Sequence, residues 1–358
     1  MAGPMDLTDL VVRIAETPSP THAEQRRADL IDGLWREAGL ATRRDRAGNV
    51  IAELPGGLGP RVLLAAHLDS VFASEVDVTV RRSERRFDGP GVGDNAASLA
   101  VLTRFAQDPS AAPRRPRLTL VATVGEEGLG DLKGARQVVA DLGPAIDHFI
   151  ALDGQLGVVT NQAVGSNRFE ARFSGPGGHA WGDYPSPSAT LAAATAAAAL
   201  GRLRVPATPR SSLNIGKLWG GTSINAIAEA AGFNLDLRSV EPDTLAAMSA
   251  EALDRINEAA GQLGCAVELV NVGRRPAATV DNGRLVAAAT EALAAVGEGL
   301  TTSAGSTDAN AAMAAGISSM AFGLYRGGNA HRLDEWIDPT SLATGLAALT
   351  ALITELGQ

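Results

Sequence analysis

The sequence carries a single cysteine, Cys265, in 358 residues, so no intrachain disulfide can form. That thiol opens the run Cys265-Ala266-Val267-Glu268-Leu269-Val270, which reads as a strand. There it is expected to be a buried, inert small hydrophobe and not a nucleophile. Aromatic residues are only 4% of the chain, which leaves the core to be built from Leu, Val, Ile and Ala. No sustained Lys/Arg run exists. The densest cluster, Arg81-Arg82 with Arg85-Arg86, is expected on a solvated loop, and the net charge is −9. These features argue against a nucleic-acid-binding face. The apolar stretch Leu191–Leu200 is too short to span a bilayer and is closed by Arg202 and Arg204. The start, Met1-Ala2-Gly3-Pro4-Met5-Asp6, lacks the basic and apolar regions of a signal peptide. The expectation is a cytoplasmic protein without membrane or nucleic-acid partners.

What is present is an ordinary globular composition, 45% hydrophobic and 20% charged, at a length that suits two domains. Residues 6 to 40 read as helical. The runs Val62–Ala66, Leu118–Val124 and Phe149–Leu152 are continuously apolar, as strands buried on both faces must be. Helical patterns fall at about 95 to 107 and 132 to 142, and the alternation predicts a largely parallel α/β sheet flanked by helices. After residue 165 the order becomes strand, Ala-rich helix, two strands, helix, strand, which is the pattern of a split βαβ, a compact α+β unit. The α/β pattern resumes near residue 282, with helices at 282–296 and 307–315, a strand at 318–324 and a last helix from 340. The expected organisation is a discontinuous catalytic domain, 1–165 and 276–358, with a smaller domain inserted at 166–275.

Ligand-type side chains stand where strands end, the place where open α/β sheets gather their ligands. His67 and Asp69 follow the Val62–Ala66 strand. Asp94 lies in Gly91-Val92-Gly93-Asp94-Asn95. Glu126-Glu127 follows the Leu118–Val124 strand, Asp153 follows Phe149–Leu152, and His331 comes after the Gly-rich run Gly327-Gly328-Asn329-Ala330. Zinc takes His nitrogens and carboxylate oxygens, and two His with three carboxylates suffice for two ions if one carboxylate bridges. An acidic pair directly after a buried strand is costly without a cation. One of the two can bind metal while the other takes a proton from water. Asp69, two residues past His67, can orient the imidazole. Cobalt and manganese suit these donors as well as zinc.

The order His-x-Asp, Gly-x-Gly-Asp, Glu-Glu-Gly, Asp, Gly-Ser-Thr-Asp-Ala-Asn and Ala-His-x-x-x-Glu-Trp, over about residues 60 to 340, resembles the zinc peptidase family that includes tripeptidase T, carboxypeptidase G and aminoacylase (metallopeptidase family 20). The resemblance implies a zinc-exopeptidase-type catalytic domain and a ferredoxin-like inserted lid that also dimerises. It implies that Asp94 bridges two zinc ions, that His67 and Asp153 hold one and Glu127 and His331 the other, that Glu126 is the general base, and that Asp69 orients His67. In this family the bond after the bridging Asp, here Asp94–Asn95, is often cis. Gly177-Gly178-His179 matches the family's Gly-Gly-His motif, which implies that His179 reaches the partner subunit's site and stabilises the oxyanion. Gly220-Gly221-Thr222-Ser223-Ile224-Asn225 and Asp236-Leu237-Arg238 match motifs that make Asn225 and Arg238 substrate-binding candidates; an Arg fork pairs bidentately with a carboxylate. The chain departs from the family in Asn95-Ala96-Ala97-Ser98, where many members have Asp or Met, then Lys and Gly. It departs again at Arg332, where Thr is common. His22 and His148 match nothing and are expected to be structural. Asp at position 153 is the form that resembles amino-, di- and tripeptidases, so the expected substrate is a short peptide. The alternative is an N-acyl amino acid, cleaved by a deacylase or carboxypeptidase of the same family. An inactive binding homologue would have lost a ligand or the base, and all are present.

Overall fold

The structure, a computed structural model, describes residues 5–108 and 116–358; Met1–Pro4, part of the segment read for a signal peptide, lie outside them. The chain divides into two compact units, Met1–Ala163 with Thr279–Gln358, and Val164–Ala278.

The first unit is built on an eight-stranded mixed sheet. Its middle is four parallel strands in the spatial order Arg117–Thr123, Arg61–His67, His148–Leu152 and Ser318–Phe322. The first three are the predicted apolar runs and the fourth is the strand expected at 318–324, and along all four both faces are almost wholly buried. Antiparallel strands extend the sheet: Val50–Glu53 and Thr42–Arg44 at one side, Val158–Ala163 at the other, with Thr301–Gly305 parallel to the last. Among the helices, Ala96–Gln107 is buried along nearly its whole length, and Ser341–Leu356 carries Leu349, Leu352 and Ile353 into the core. The helical region expected over 6–40 is two helices, Leu7–Ala15 and Gln25–Glu37. Pro18 and Pro20 interrupt it, since proline cannot donate to a helix and restricts the residue before it. The Arg81–Arg86 cluster is a short hairpin, with Arg81–Arg82 paired to Phe87–Asp88 and then to Trp336–Asp338. The Arg86 guanidinium stacks 4.6 Å from the centre of the Trp336 ring.

The second unit is a four-stranded antiparallel sheet in the spatial order Ser211–Gly220, Ala230–Ser239, Gly165–Ser174, Ala266–Arg275. The helices Ala189–Leu200 and Pro242–Gln262 pack on it. The Ala-rich helix buries Ala189, Ala192, Ala193 and Ala196 against Phe173 and Phe233, whose rings lie 5.7 Å apart. Small side chains on the helix face let these bulky rings fill the layer between helix and sheet. Cys265 is buried just before the last strand, and burial pushes its thiol pKa up.

Candidate active site

Parallel register brings the site together. His67 closes the Arg61–His67 strand opposite Thr123, and Ala65 lies opposite Ala151. Glu126, Glu127 and Asp153 therefore leave the sheet at the same carboxyl edge as His67. Asp94 enters from the turn before the Ala96–Gln107 helix, and the Asp94–Asn95 peptide bond is cis. The Asn95 side chain donates to Leu152 O (3.0 Å), which ties that turn to the strand ending beside Asp153.

The Asp94 carboxylate lies between two imidazoles. Its Oδ1 is 2.9 Å from His67 Nε2 and its Oδ2 is 3.1 Å from His331 Nε2. His331 Nε2 is also 3.1 Å from Glu127 Oε1. Donor atoms of His67, Asp94 and Glu127 all lie within 4.8 Å of one another. His331 is held toward them from a backbone at φ 66°.

Asp69 is fully buried, and it does more than face His67. Its main-chain oxygen is 3.0 Å from His67 Nδ1, nearer than its carboxylate at 3.6 Å. The carboxylate accepts from Glu126 N (2.9 Å), Glu127 N (2.8 Å) and the Thr21 hydroxyl (2.9 Å). Asp69 thus fixes the turn that carries both glutamates.

The electrostatics follow from this crowding. Burial, with the charges of Asp94, Glu127 and Asp308 added, pushes the Asp153 carboxyl up to about 7. Burial alone would raise Asp94, but the bonds from His331 and His67 outweigh it and hold that carboxyl well below its ordinary range. Burial alone would lower His67, yet Asp69 and Asp94 raise it well above 6.5. Bonds to Asp94 and then Glu127 push His331 up to about 10. Glu126 is also buried here. A largely buried cluster with more carboxylates than imidazoles, its donor atoms converging and the His331 side chain 54% exposed at its edge, has the chemistry of a divalent-cation site.

The other candidates sit in the second unit. His179 and Asn225 are neighbours across a two-stranded ladder in which His179 pairs with Ala226, and Asn225 O accepts from Ala180 N (3.0 Å). His179 Nδ1 accepts from Trp181 N and Gly182 N, both at 3.2 Å, so its ring proton belongs on Nε2. Arg238 is on the Ala230–Ser239 strand and is turned onto Asp236 of the same strand (2.9 Å). His22 is exposed, and His148 is buried at the start of its strand. Sequence reasoning gave no part to Thr21, Asn95 or Glu335, whose partners lie far away along the chain. Glu335 left a trace as the acidic residue of the Ala-His-x-x-x-Glu-Trp run, and Asn95 as the residue after the bridging Asp; Thr21 left none.

The model of peptidase family M20/M25/M40 matches residues 63–355. The chain belongs to that family. It is 30% identical over 165 residues to the indole-3-acetyl-aspartic acid hydrolase of Enterobacter agglomerans, covering 44% of this chain and 37% of that protein. It is 28% identical over 149 residues to the cytosol non-specific dipeptidase of Escherichia coli, covering 37% and 31%. The aligned part thus spans about a third of the length of these curated relatives. A tripeptidase structure from Staphylococcus aureus superposes with a TM-score of 0.83 at 22% identity, covering 98% of both chains, which establishes a shared fold.

Proposed function

We propose that this M20 hydrolase is a dinuclear zinc peptidase that cleaves short peptides, in the manner of an amino-, di- or tripeptidase. The observation that carries the two-ion reading is the Asp94 carboxylate, each of whose oxygens faces a different imidazole. His67 and Asp153 would hold one ion, Glu127 and His331 the other, with Asp94 between; cobalt or manganese would fit the same donors. Bound there, the ions would supply Lewis acidity toward the scissile carbonyl and lower the pKa of water. Glu126 takes the proton of the attacking water and returns it to the leaving amine. Asp69 holds Glu126 and Glu127 in place through their peptide N–H groups.

The remaining roles extend this reading. His179, with its proton on Nε2, donates to the tetrahedral oxyanion in the site of a partner subunit. Asn225, beside it, and Arg238 contact the substrate, Arg238 through its carboxylate. The inserted unit serves as lid and homodimer surface; the exposed Trp181, Tyr184 and Ile224 support an interface there. No helix among the described residues is long and apolar enough to cross a membrane, and we place the enzyme in the cytoplasm.

The peptide preference rests on Asp153 and on the likeness to a dipeptidase and a tripeptidase. A second reading, hydrolysis of N-acyl amino acids, is favoured by the likeness to an acyl-aspartate hydrolase. A panel of di- and tripeptides beside N-acetyl and N-succinyl amino acids, with added Zn²⁺ and chelator controls, decides between them. Metal-dependent release from peptides is expected. Release from the acyl amino acids alone would move the function to deacylase.

A further inference from the structure

Beyond the ligands, the bridging position of Asp94 needs something to hold its turn, and that something is a second buried carboxylate. Glu335 is 1% exposed. Its Oε2 accepts from Gly91 N (2.7 Å), and its Oε1 accepts from Gly93 N (3.0 Å) and Asp94 N (2.8 Å). Its own main-chain oxygen accepts from Gly89 N (2.9 Å), and the next residue, Trp336, pairs with Asp88. Four main-chain N–H groups of the Gly89–Asp94 segment therefore donate to this one residue. That residue lies four positions after His331, on the loop that carries the other imidazole to Asp94.

The fit is close from both sides. Gly93 has no side chain because a Cβ there would lie 2.8 Å from Glu335 Oε1 and 2.7 Å from Tyr325 Cε2. Three peptide N–H groups aimed at one carboxylate make charge-assisted bonds, each stronger and more directional than a neutral pair. Burial pushes the Glu335 carboxyl up to about 7 even though the Asp94, Gly91 and Gly93 N–H groups pull it down. Those bonds offset part of the cost of its burial.

We infer that Glu335 is the positioning residue of the metal site: by accepting three N–H bonds from the Gly91–Asp94 turn it sets the Asp94 carboxylate between His67 and His331, and so joins the loops of both ions into one unit. This rests on the proposal that Asp94 is the bridging ligand. Glu335→Gln keeps shape and volume but turns one oxygen into an amide that faces N–H donors. It must then lose at least one of the three bonds.

The test uses full-length protein freed of metal by chelator dialysis. It is titrated with Zn²⁺ against a chromophoric competitor, and with Co²⁺ while the visible absorption is recorded. E335Q is expected to bind zinc about 10–100-fold more weakly than the native chain, the usual cost of losing a partner behind a ligand, and to give an altered cobalt spectrum. Zinc affinity within about twofold and an unchanged spectrum, by that same measure, would overturn the inference. If E335Q does not fold, Gly93→Ala, which pushes on the same cradle from the turn, carries the test with the same two outcomes. Asp94→Asn is run beside them. Native-like zinc binding by Asp94→Asn would sink the bridging assignment itself, and weak binding by it with native-like E335Q would sink only the role given to Glu335.

Discussion

Replacing Asp69 by Asn should damage both stability and turnover, because the carboxylate is a two-sided acceptor. Glu126 N and Glu127 N donate to different oxygens, and the Thr21 hydroxyl shares the second. The main-chain oxygen facing His67 Nδ1 is untouched by the change. An asparagine has one acceptor oxygen, so its best arrangement keeps the bond to one glutamate N–H and sets its own NH₂ group against the other. The NH₂ group can still donate to the Thr21 oxygen. One buried peptide donor is then unmet, at a cost of about 1–3 kcal/mol. Urea unfolding of metal-free protein should show that loss as a lower midpoint with an unchanged slope. In turnover, the peptide that carries Glu126 shifts, so kcat should fall by about 10–100-fold with KM little changed, the signature of an interaction made in the transition state. A variant within about 0.5 kcal/mol of native stability that turned over at the native rate would refute the view of Asp69 as the clamp on the Glu126–Glu127 turn.

Glu126→Ala should retain native metal stoichiometry by elemental analysis while kcat falls by about 10²–10⁴-fold; loss of the metals with the activity would instead make Glu126 a ligand. His148, whose imidazole is pushed below 6.5 by burial and by the nearby Arg284, gives a pH test away from the site. The unfolded chain protonates this histidine first, so its contribution is intact above pH 6.5 and is lost as the pH falls from there toward the lower folded value. His148→Gln should flatten that part of the stability–pH curve, and parallel curves for the two proteins would contradict it.

The parallel sheet could be read from the sequence because its central strands are buried on both faces and are spelled as unbroken apolar runs. Val158–Ala163 and Thr301–Gly305 escaped notice. One is half polar and the other is Thr-Thr-Ser-Ala-Gly, and both are held by main-chain pairing that leaves no apolar signature. The metal-ligand candidates were legible for a topological reason: strand ends and the loops beside them converge at one sheet edge, so separate weak signals add. Their supports were not. Thr21 reaches Asp69, and Glu335 reaches the Gly91–Asp94 turn, only through the fold. A hydrogen bond between residues so far apart has no spacing to betray it. The Asp69 carboxylate, read from the sequence as facing His67, also accepts from the two glutamate N–H groups, a role that its place two residues after His67 does not signal.

The most direct test of the dinuclear account is anomalous diffraction at the zinc edge from crystals of the zinc-loaded enzyme. The account predicts two peaks per chain with the Asp94 carboxylate between them, His67 and Asp153 on one side and Glu127 and His331 on the other. A single peak, or two peaks of which Asp94 touches only one, would contradict it.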